Sequence, residues 1–194
     1  MHDPTELRRA MRAVRRSIPP DRAATDAHAA AARLQELLAT ATPTIAAPRR
    51  VGSYQPFDGE LDPRPIRPLV ESDGGTIFLP VCRGNRLVFA PLDDDTVFAP
   101  NRFGIDEPTG ATTIAALELD LVVVPLVAFD RSGHRLGMGA GWYDRTFGAA
   151  SVAGVTAPVL IGYGHDDQEV DELTPAEWDI AMDAIVTPAR VWWI

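Results

Sequence analysis

The residues best suited to chemistry lie between Asp130 and Arg145, where a glycine-rich stretch follows an apolar run. Its glycines are spaced two to four residues apart, at Gly133, Gly137, Gly139 and Gly141. Glycine permits positive φ and lets backbone N–H groups approach a ligand closely, as a phosphate cradle requires. The spacing matches neither the P-loop nor the dinucleotide-binding motif, so a loop that only turns a corner remains the alternative.

Charged residues around this stretch favour an anion site. Arg135 and Arg145 bracket the loop, and Asp130 and Asp144 could hold a divalent cation. The residues from Trp142 onward are predicted to begin a helix, whose N-terminal dipole favours an anion. Guanidinium groups, backbone N–H groups and carboxylates together predict a nucleoside triphosphate site.

The size and charge of the chain restrict its partners. Its 194 residues suit one domain, residues 1–194. A net charge of −9 and a pI near 4.8 argue against binding to nucleic acid or an anionic membrane. No apolar segment approaches the ~20 residues that cross a bilayer. We therefore expect a soluble, cytoplasmic, monomeric protein that acts on small molecules.

All 18 basic residues are arginines, so the chain contains no lysine. This absence excludes a Schiff base, a Walker lysine and a kinase-type lysine. If phosphates are bound, arginines and backbone N–H groups must bind them.

Apolar runs predict the strands of an α/β protein. Residues 121–129 lack polar alternation and are rich in valine, which indicates one strand buried on both faces in the middle of a parallel sheet. Ligands of such sheets bind beyond the carboxyl ends of the strands. Further strands are predicted at residues 50–55, 76–82, 86–90, 159–163 and 184–187, with a hairpin possible at 83–85.

Two helices are predicted before the first strand. The first begins with Thr5 as N-cap and has an apolar face of Leu7, Met11, Val14 and Ile18. Its other face carries Arg8, Arg9, Arg12, Arg15 and Arg16, interpreted as an anion-binding surface, with a solvated structural face as the alternative. The second helix runs from about Asp21 to Thr40 and is ended by Pro43 and Pro48.

Several loop residues are weighed against structural roles. Glu60 could contact a ligand at the end of the first strand, although Asp58 and Gly59 also suit a surface turn. Residues 98–108 have little periodic order and could form a binding loop that offers Phe103. Residues 174–179 predict a helical turn capped by Thr174. Cys82 is expected to be a buried core residue rather than a nucleophile.

Residues 133–147, GHRLGMGAGWYDRTF, resemble the signature G-x-R-L-G-x-G-x-G-[YFW]-Y-D-R of the 5-formyltetrahydrofolate cyclo-ligases. The resemblance extends over nearly the whole chain in the same order. The further similar segments are LRRAMRAVRRSIPP, SYQPFDGELD, LPVC, LVVVPLVAFD and QEVDELTPAEWDIAMDAIVTP.

The resemblance implies a three-layer α/β/α sandwich with a mostly parallel central sheet, similar to ribose-phosphate isomerase and CoA-transferase-like folds. It also implies closure of 5-formyltetrahydrofolate to 5,10-methenyltetrahydrofolate with ATP and Mg²⁺. The residues implied for ATP are Arg8, Arg135, Leu136, Gly137, Met138, Gly139, Ala140, Gly141, Trp142, Tyr143 and Arg145. Those implied for the metal are Asp144 and Asp179. Those implied for the folate are Gln55, Glu60, Phe103 and Trp142.

The sequence departs from the family pattern at two positions. Pro4 stands where the family often has a cation, and Ala140 stands where glycine or lysine is usual. An alanine fits there only if its φ is negative. Two alternatives stay open: a non-catalytic folate- or nucleotide-binding relative, and an ATP-independent sugar-phosphate isomerase, which would lack the lysine such sites commonly use.

Overall fold

The computed structural model describes residues 3–40, 48–153 and 157–194, which form four α-helices and twelve strands. The helices are α1 (Pro4–Arg16), α2 (Pro20–Thr40), α3 (Ile66–Ser72) and α4 (Trp142–Ala153). The first six strands are β1 (Arg50–Gly52), β2 (Thr76–Arg83), β3 (Arg86–Pro91), β4 (Val97–Pro100), β5 (Asp106–Thr109) and β6 (Ile114–Ala115). The others are β7 (Leu121–Pro125), β8 (Ala128–Phe129), β9 (Arg135–Leu136), β10 (Val159–Tyr163), β11 (Ala184–Val186) and β12 (Val191–Trp193).

Eight strands form the central sheet in the order β12-β11-β10-β7-β1-β2-β3-β6. The inner strands β11, β10, β7, β1 and β2 are parallel, whereas β12, β3 and β6 pair antiparallel at the edges. Val122, Val123 and Val124 of β7 are fully buried. The predicted mostly parallel sheet is confirmed, with the valine-rich strand inside it because both of its faces are apolar.

Helices cover both faces of this sheet. Ala30 and Leu34 of α2 pack with α3 against one face, in a core that includes Val123. Phe147 of α4 packs against the other face, in a core that includes Val122. The predicted three-layer α/β/α arrangement is confirmed. Over the residues described, the structure has no helix that is both long and apolar enough to cross a membrane.

The first helix differs from the prediction at both its start and its face. Asp3, not Thr5, is the N-cap, because its side chain accepts a hydrogen bond of 2.9 Å from the Thr5 N–H. Val14 is 36% exposed, whereas Arg15 is buried. The apolar periodicity predicted the helix correctly but placed the wrong residue inward. The predicted break at Pro43 lies outside the described residues.

The predicted strand 121–129 is interrupted. The chain leaves the central sheet after Pro125, and Ala128–Phe129 instead pair antiparallel with Arg135–Leu136. The Gln168 side-chain amide donates to the Leu126 and Val127 carbonyls, at 2.8 and 3.0 Å, which satisfies the backbone at the break. As a result, the glycine-rich residues after Leu136 follow a small two-stranded hairpin of β8 and β9 rather than a strand of the central sheet.

Two loop predictions were wrong. Residues 98–108 were expected to be irregular, but most of them form the hairpin of β4 and β5. Residues 174–179 form a turn rather than a helical turn. There the Asp179 carboxylate accepts a hydrogen bond of 2.9 Å from the Ala176 N–H. The predicted hairpin of β2 and β3 is confirmed, and the predicted strand 50–55 is paired only over Arg50–Gly52.

Candidate active site

A cleft of about 1450 Å³ opens beyond the carboxyl ends of β1, β2 and β7, where Gln55, Cys82 and Leu126 line it. Ligands of open α/β sheets bind at this edge. All of the residues that the family resemblance selects line this cleft: Arg8, Gln55, Glu60, Phe103, Arg135, Leu136, Gly137, Met138, Gly139, Ala140, Gly141, Trp142, Tyr143, Asp144, Arg145 and Asp179. They come from five separate parts of the chain, which the fold brings together around one cleft.

The glycine loop runs from β9 directly into α4. Gly139 and Gly141 have φ values of 95° and 64°, a region that L side chains rarely adopt. Ala140 between them does not have positive φ, so the condition for accepting an alanine there is met. The first turn of α4 follows at once and leaves its N–H groups free of intrahelical partners. This arrangement suits an anion.

Two arginines contact this loop from outside it. The Arg8 Nε–H donates to the Gly137 carbonyl at 2.9 Å. The Arg145 Nε–H donates to the Asn85 carbonyl at 2.8 Å, and its guanidinium lies 5.2 Å from the centre of the Trp142 ring. A guanidinium has five N–H donors. Within the described residues each of these two uses one, so both keep donors for an anion in the cleft.

Arg135 is held more tightly. Its guanidinium donates to the Asp144 Oδ1 at 2.8 Å and to the Ile180 carbonyl at 2.7 Å. The Ile180 N–H also donates to Asp144 Oδ1, at 3.3 Å. The Arg135 and Asp144 side chains are only 5% and 16% exposed. This pair joins the start of α4 to the segment before β11.

Asp144 and Asp179 fit one mode of magnesium binding. The described residues contain no group of three or more His, Cys, Asp or Glu side chains that could form a protein cage for a metal. Mg²⁺ is usually bound by one or two carboxylates together with substrate phosphates. Asp144 and Asp179 both line the cleft and supply carboxylate oxygens. Asp130 does not join them, because it is buried away from the cleft, and both of its carboxylate oxygens accept hydrogen bonds from the backbone of Ser132, His134 and Leu173.

Glu60, a residue that the resemblance implies for the folate, is nearly buried. Its Oε2 accepts a hydrogen bond of 3.1 Å from the Phe57 N–H, and its Oε1 lies 3.7 Å from Arg15 Nη1. Burial raises the pKa of Glu60 to about 7, although the positive charge of Arg15 opposes this rise. Near neutral pH, this group can therefore exist in either protonation state.

Aromatic side chains stand at one side of the cleft. Phe103 is 44% exposed and meets the Trp142 ring edge-on, with centroids 6.3 Å apart. The Arg102 guanidinium lies 4.8 Å from the centre of the Phe103 ring and 5.4 Å from that of Trp142. Exposed aromatic surface in a cleft suits a flat ring system.

Cys82 lines the same cleft. It is half-buried rather than fully buried as expected. Burial and the neighbouring Glu107 carboxylate raise the pKa of its thiol to about 12. Because the thiolate is the nucleophile, Cys82 is not an activated one.

Residues 1–188 match the sequence profile of the 5-formyltetrahydrofolate cyclo-ligase family. The chain belongs to the 5-formyltetrahydrofolate cyclo-ligase family. It is 36% identical over 183 residues to the 5-formyltetrahydrofolate cyclo-ligase of Escherichia coli K12, covering 92% of this chain and 96% of the relative. The predicted family and the predicted enzyme class, a ligase, are therefore confirmed.

Solved structures agree on the fold. The NMR structure of the Aquifex aeolicus 5,10-methenyltetrahydrofolate synthetase superimposes with a TM-score of 0.76 at 26% identity, covering 98% of this chain and 92% of that one. A 5,10-methenyltetrahydrofolate synthetase from Mycoplasma pneumoniae gives a TM-score of 0.74 at 19% identity, covering 96% and 99%. At that identity, the second likeness supports the fold alone.

In this member of the cyclo-ligase family, the pairing of Asp58 with arginines of α1 was not predicted from the sequence. The Asp58 carboxylate accepts hydrogen bonds from Arg12 Nε at 2.8 Å, from Arg15 Nη2 at 2.9 Å and from Arg16 Nε. Three arginines of the supposed anion-binding face thus bind an anion of the protein itself. The sequence does contain an arginine-rich helix and an acidic turn, which could form ion pairs. Periodicity does not show, however, that the two segments are close in space.

Proposed function

We propose that the chain catalyses the ATP- and Mg²⁺-dependent closure of 5-formyltetrahydrofolate to 5,10-methenyltetrahydrofolate, with release of ADP and phosphate. The observation that carries the proposal is that one cleft is lined by residues 135–145 of the glycine signature and by Gln55 and Glu60, the positions implied for the folate. The family to which the chain belongs supports the same reaction.

The reaction needs the formyl oxygen to become a leaving group. That oxygen attacks the γ-phosphorus of ATP, forming an O–P bond while the bond to the ADP oxygen breaks. N10 of the folate then attacks the activated formyl carbon, the C–O bond breaks, and phosphate departs while N10 loses its proton. Both steps depend on positioning and charge neutralisation rather than on a protein nucleophile. The raised pKa of Cys82 agrees with this requirement.

The triphosphate would bind at the glycine loop. Its backbone N–H groups and the first turn of α4 present donors, and Arg8 and Arg145 add positive charge beside them. Asp144 and Asp179 would hold Mg²⁺, which supplies charge neutralisation for the phosphates when bound. Arg135 would contribute charge while it orients Asp144.

The folate would bind against the loop that follows β1 and against the aromatic side of the cleft. Gln55 and Glu60 offer hydrogen-bonding groups, and Phe103 and Trp142 offer ring faces. One chain supplies all of these groups, so we expect a monomer to be sufficient. We expect the reaction to take place in the cytoplasm, where ATP is available.

The test follows the near-ultraviolet absorbance of methenyltetrahydrofolate, a property of the product that the family resemblance implies. Protein, 5-formyltetrahydrofolate, Mg²⁺ and ATP are mixed, and matched samples omit ATP or replace it with a non-hydrolysable analogue. We expect the signal to grow only in the complete mixture, with one ADP formed per product. Binding of both ligands without any growth of the signal would support the non-catalytic relative instead. Turnover of a sugar phosphate without ATP would support the isomerase.

A further inference from the structure

Arg15 is a buried arginine beneath the cleft, and its side chain is fully shielded from solvent. Nε donates to the Asp58 carbonyl at 2.9 Å, Nη2 to the Asp58 carboxylate at 2.9 Å, and Nη1 to the Leu126 carbonyl at 3.2 Å. Burying a guanidinium is costly unless its donors are satisfied. The three bonds fix the guanidinium in one position, at the end of the central strand.

The same guanidinium faces Glu60. Nη1 lies 3.7 Å from Glu60 Oε1, too far for a hydrogen bond but close enough for a charge interaction in a buried site. The other carboxylate oxygen, Glu60 Oε2, accepts a hydrogen bond from the Phe57 N–H. Its carboxylate therefore has a backbone donor on one oxygen and a fixed positive charge beside the other. Arg15 Nη2 also approaches the sulfur of Met138 in the glycine loop, at 4.0 Å.

We propose that Arg15 is a positioning residue, which orients the Glu60 carboxylate in the cleft and favours its charged form, without touching a substrate itself. This role of Arg15 goes beyond the residues implied by the family resemblance. The functional importance of Glu60 rests on the proposed function, whereas the effect of Arg15 on Glu60 does not.

The other groups that face Glu60 do not supply this charge. Asp58 is negative and opposes ionisation of Glu60. Burial raises the pKa of Tyr54, which follows β1, and of Tyr143, in α4, so both phenols are neutral at ordinary pH. Arg15 of α1 is thus the cation that offsets the burial of Glu60. Removing it should move the ionisation of Glu60 further upward, by about one to three pH units, as expected when an opposite charge is lost at this range.

The experiment measures that ionisation directly in the ligand-free protein. Glutamate labelled with ¹³C at Cδ is incorporated, the Glu60 signal is assigned by its loss in Glu60→Gln, and its shift is followed against pH. We expect a midpoint near 7 in the wild type. We expect the midpoint to rise by one unit or more in Arg15→Met and to stay close to the wild-type value in Arg15→Lys, which keeps the charge.

Arg12→Met is the matched control. Arg12 donates to the same Asp58 carboxylate at 2.8 Å, but the structure records no contact between it and Glu60 among the described residues. Its midpoint should therefore match that of the wild type. An equal rise in Arg12→Met and Arg15→Met would mean that general damage around Asp58 moves Glu60, and the proposal would be overturned. An unchanged midpoint in Arg15→Met would overturn it too.

A second variant guards against misfolding of Arg15→Met, which leaves Asp58 without its buried partner. Arg15→Met combined with Asp58→Asn removes both buried charges together, a change that proteins often tolerate. The midpoint should still rise, by less than in the single variant, because the Arg15 charge influences Glu60 more strongly than the Asp58 charge does. A fall in this variant would contradict the proposal.

Turnover separates this inference from the proposed function. In an active enzyme, Arg15→Met should shift the pH profile of kcat/KM for the folate in the same direction as the NMR midpoint, while KM for ATP changes less than threefold. If no protein turns over but the midpoint moves as expected, the proposed function fails and the role of Arg15 stands. If turnover is normal and the midpoint does not move, the proposed function stands and the role proposed for Arg15 is overturned.

Discussion

Arg135 and Asp144 were assigned to different ligands from the sequence, one to phosphate and the other to metal, but in the structure they bind each other. Asp144 Oδ1 accepts hydrogen bonds from Arg135 and from the Ile180 N–H. Both recorded bonds within the described residues use this one oxygen, so Oδ2 remains for a cation. The pair also reduces the net charge that either ligand meets. A magnesium phosphate group, which carries both signs of charge, suits the pair better than a bare cation does.

This geometry makes Asp144→Asn a sharp test of the metal assignment. An asparagine oxygen can still accept from Arg135 and Ile180, so the fold should be kept, but the anionic oxygen is lost. We expect kcat/KM to fall by about 100-fold or more, since metal charge stabilisation contributes several kcal/mol. The measurement is the initial rate against Mg²⁺ concentration, with the thermal unfolding midpoint as a check of folding.

Asp183→Asn is the matched control for this change. Asp183 lines the same cleft, but its carboxylate accepts a hydrogen bond of 2.7 Å from the Leu160 N–H. Its rate and its dependence on Mg²⁺ should stay within about threefold of the wild type, corresponding to less than about 1 kcal/mol. Wild-type turnover in Asp144→Asn, or an equal loss in both variants, would remove the metal role of Asp144.

At the scale of elements, the arginines of α1 connect this helix to two loops at the cleft. Arg12, Arg15 and Arg16 bind Asp58 in the loop after β1, whereas Arg8 reaches the glycine loop. Burial would raise the pKa of Asp58, but hydrogen bonds from Arg12 and Arg16 and the nearby guanidinium charges outweigh it and hold that pKa below its usual range. The helix is therefore docked by ion pairs as well as by Met11 in the core.

Asp58→Asn should destabilise the fold through this docking. Asparagine tolerates the positive φ of 56° at this position, so backbone strain is not added. Arg15 would keep its buried charge without its main partner, and we expect a loss of roughly 3 kcal/mol in the free energy of unfolding. Denaturant unfolding measured at pH 7 gives this value.

The pH dependence of the same variant has a defined sign. Because the folded-state pKa of Asp58 is lowered, its contribution is present above the unfolded pKa, about 4, and is lost as pH falls through the folded value. The gap between wild type and Asp58→Asn should therefore narrow below about pH 4. Arg16→Met is the control: Arg16 is 55% exposed, so its loss should cost less than about 1 kcal/mol. A similar loss for both variants would argue against burial as the reason.

How far the elements could be predicted depends on how local their cause is. The strands β2, β3, β7 and β10 were predicted because each is a run of apolar residues, and such a run favours a buried strand wherever it occurs. The end of β7 was misplaced, because the break after it is stabilised by hydrogen bonds from Gln168. This residue lies 42 and 41 residues further along the chain than the Leu126 and Val127 carbonyls that accept them. The β4 and β5 hairpin was missed because each strand is only four residues long and contains a proline, and β5 is largely polar.

The site shows the same division. The meeting of the glycine loop with the other residues implied by the resemblance could be predicted, because ligands of a parallel sheet bind at the carboxyl edge where these residues line one cleft. Arg15 could not be identified, because periodicity places the apolar Val14 inward and nothing local reveals Asp58 behind it. Its burial is a property of two distant segments, 43 residues apart in the chain.

For the whole molecule, the size of the cleft decides how the reaction can be organised. Pockets for one small ligand usually occupy about 300–1000 Å³, and this cleft is larger, at about 1450 Å³. The residues proposed for the triphosphate and those proposed for the folate line the same space. A direct transfer from ATP to the folate needs both ligands present together, and the cleft has room for both.

We therefore expect a ternary complex and sequential kinetics. Plots of reciprocal rate against reciprocal ATP concentration, at several folate concentrations, should intersect rather than run parallel, because no product leaves before both substrates bind. Incubation with γ-labelled ATP alone should leave no stable label on the protein, since the Cys82 thiol has a pKa raised to about 12 and is not activated. Parallel lines together with a labelled protein would instead require a phosphorylated side chain, and direct attack by the formyl oxygen would then be wrong.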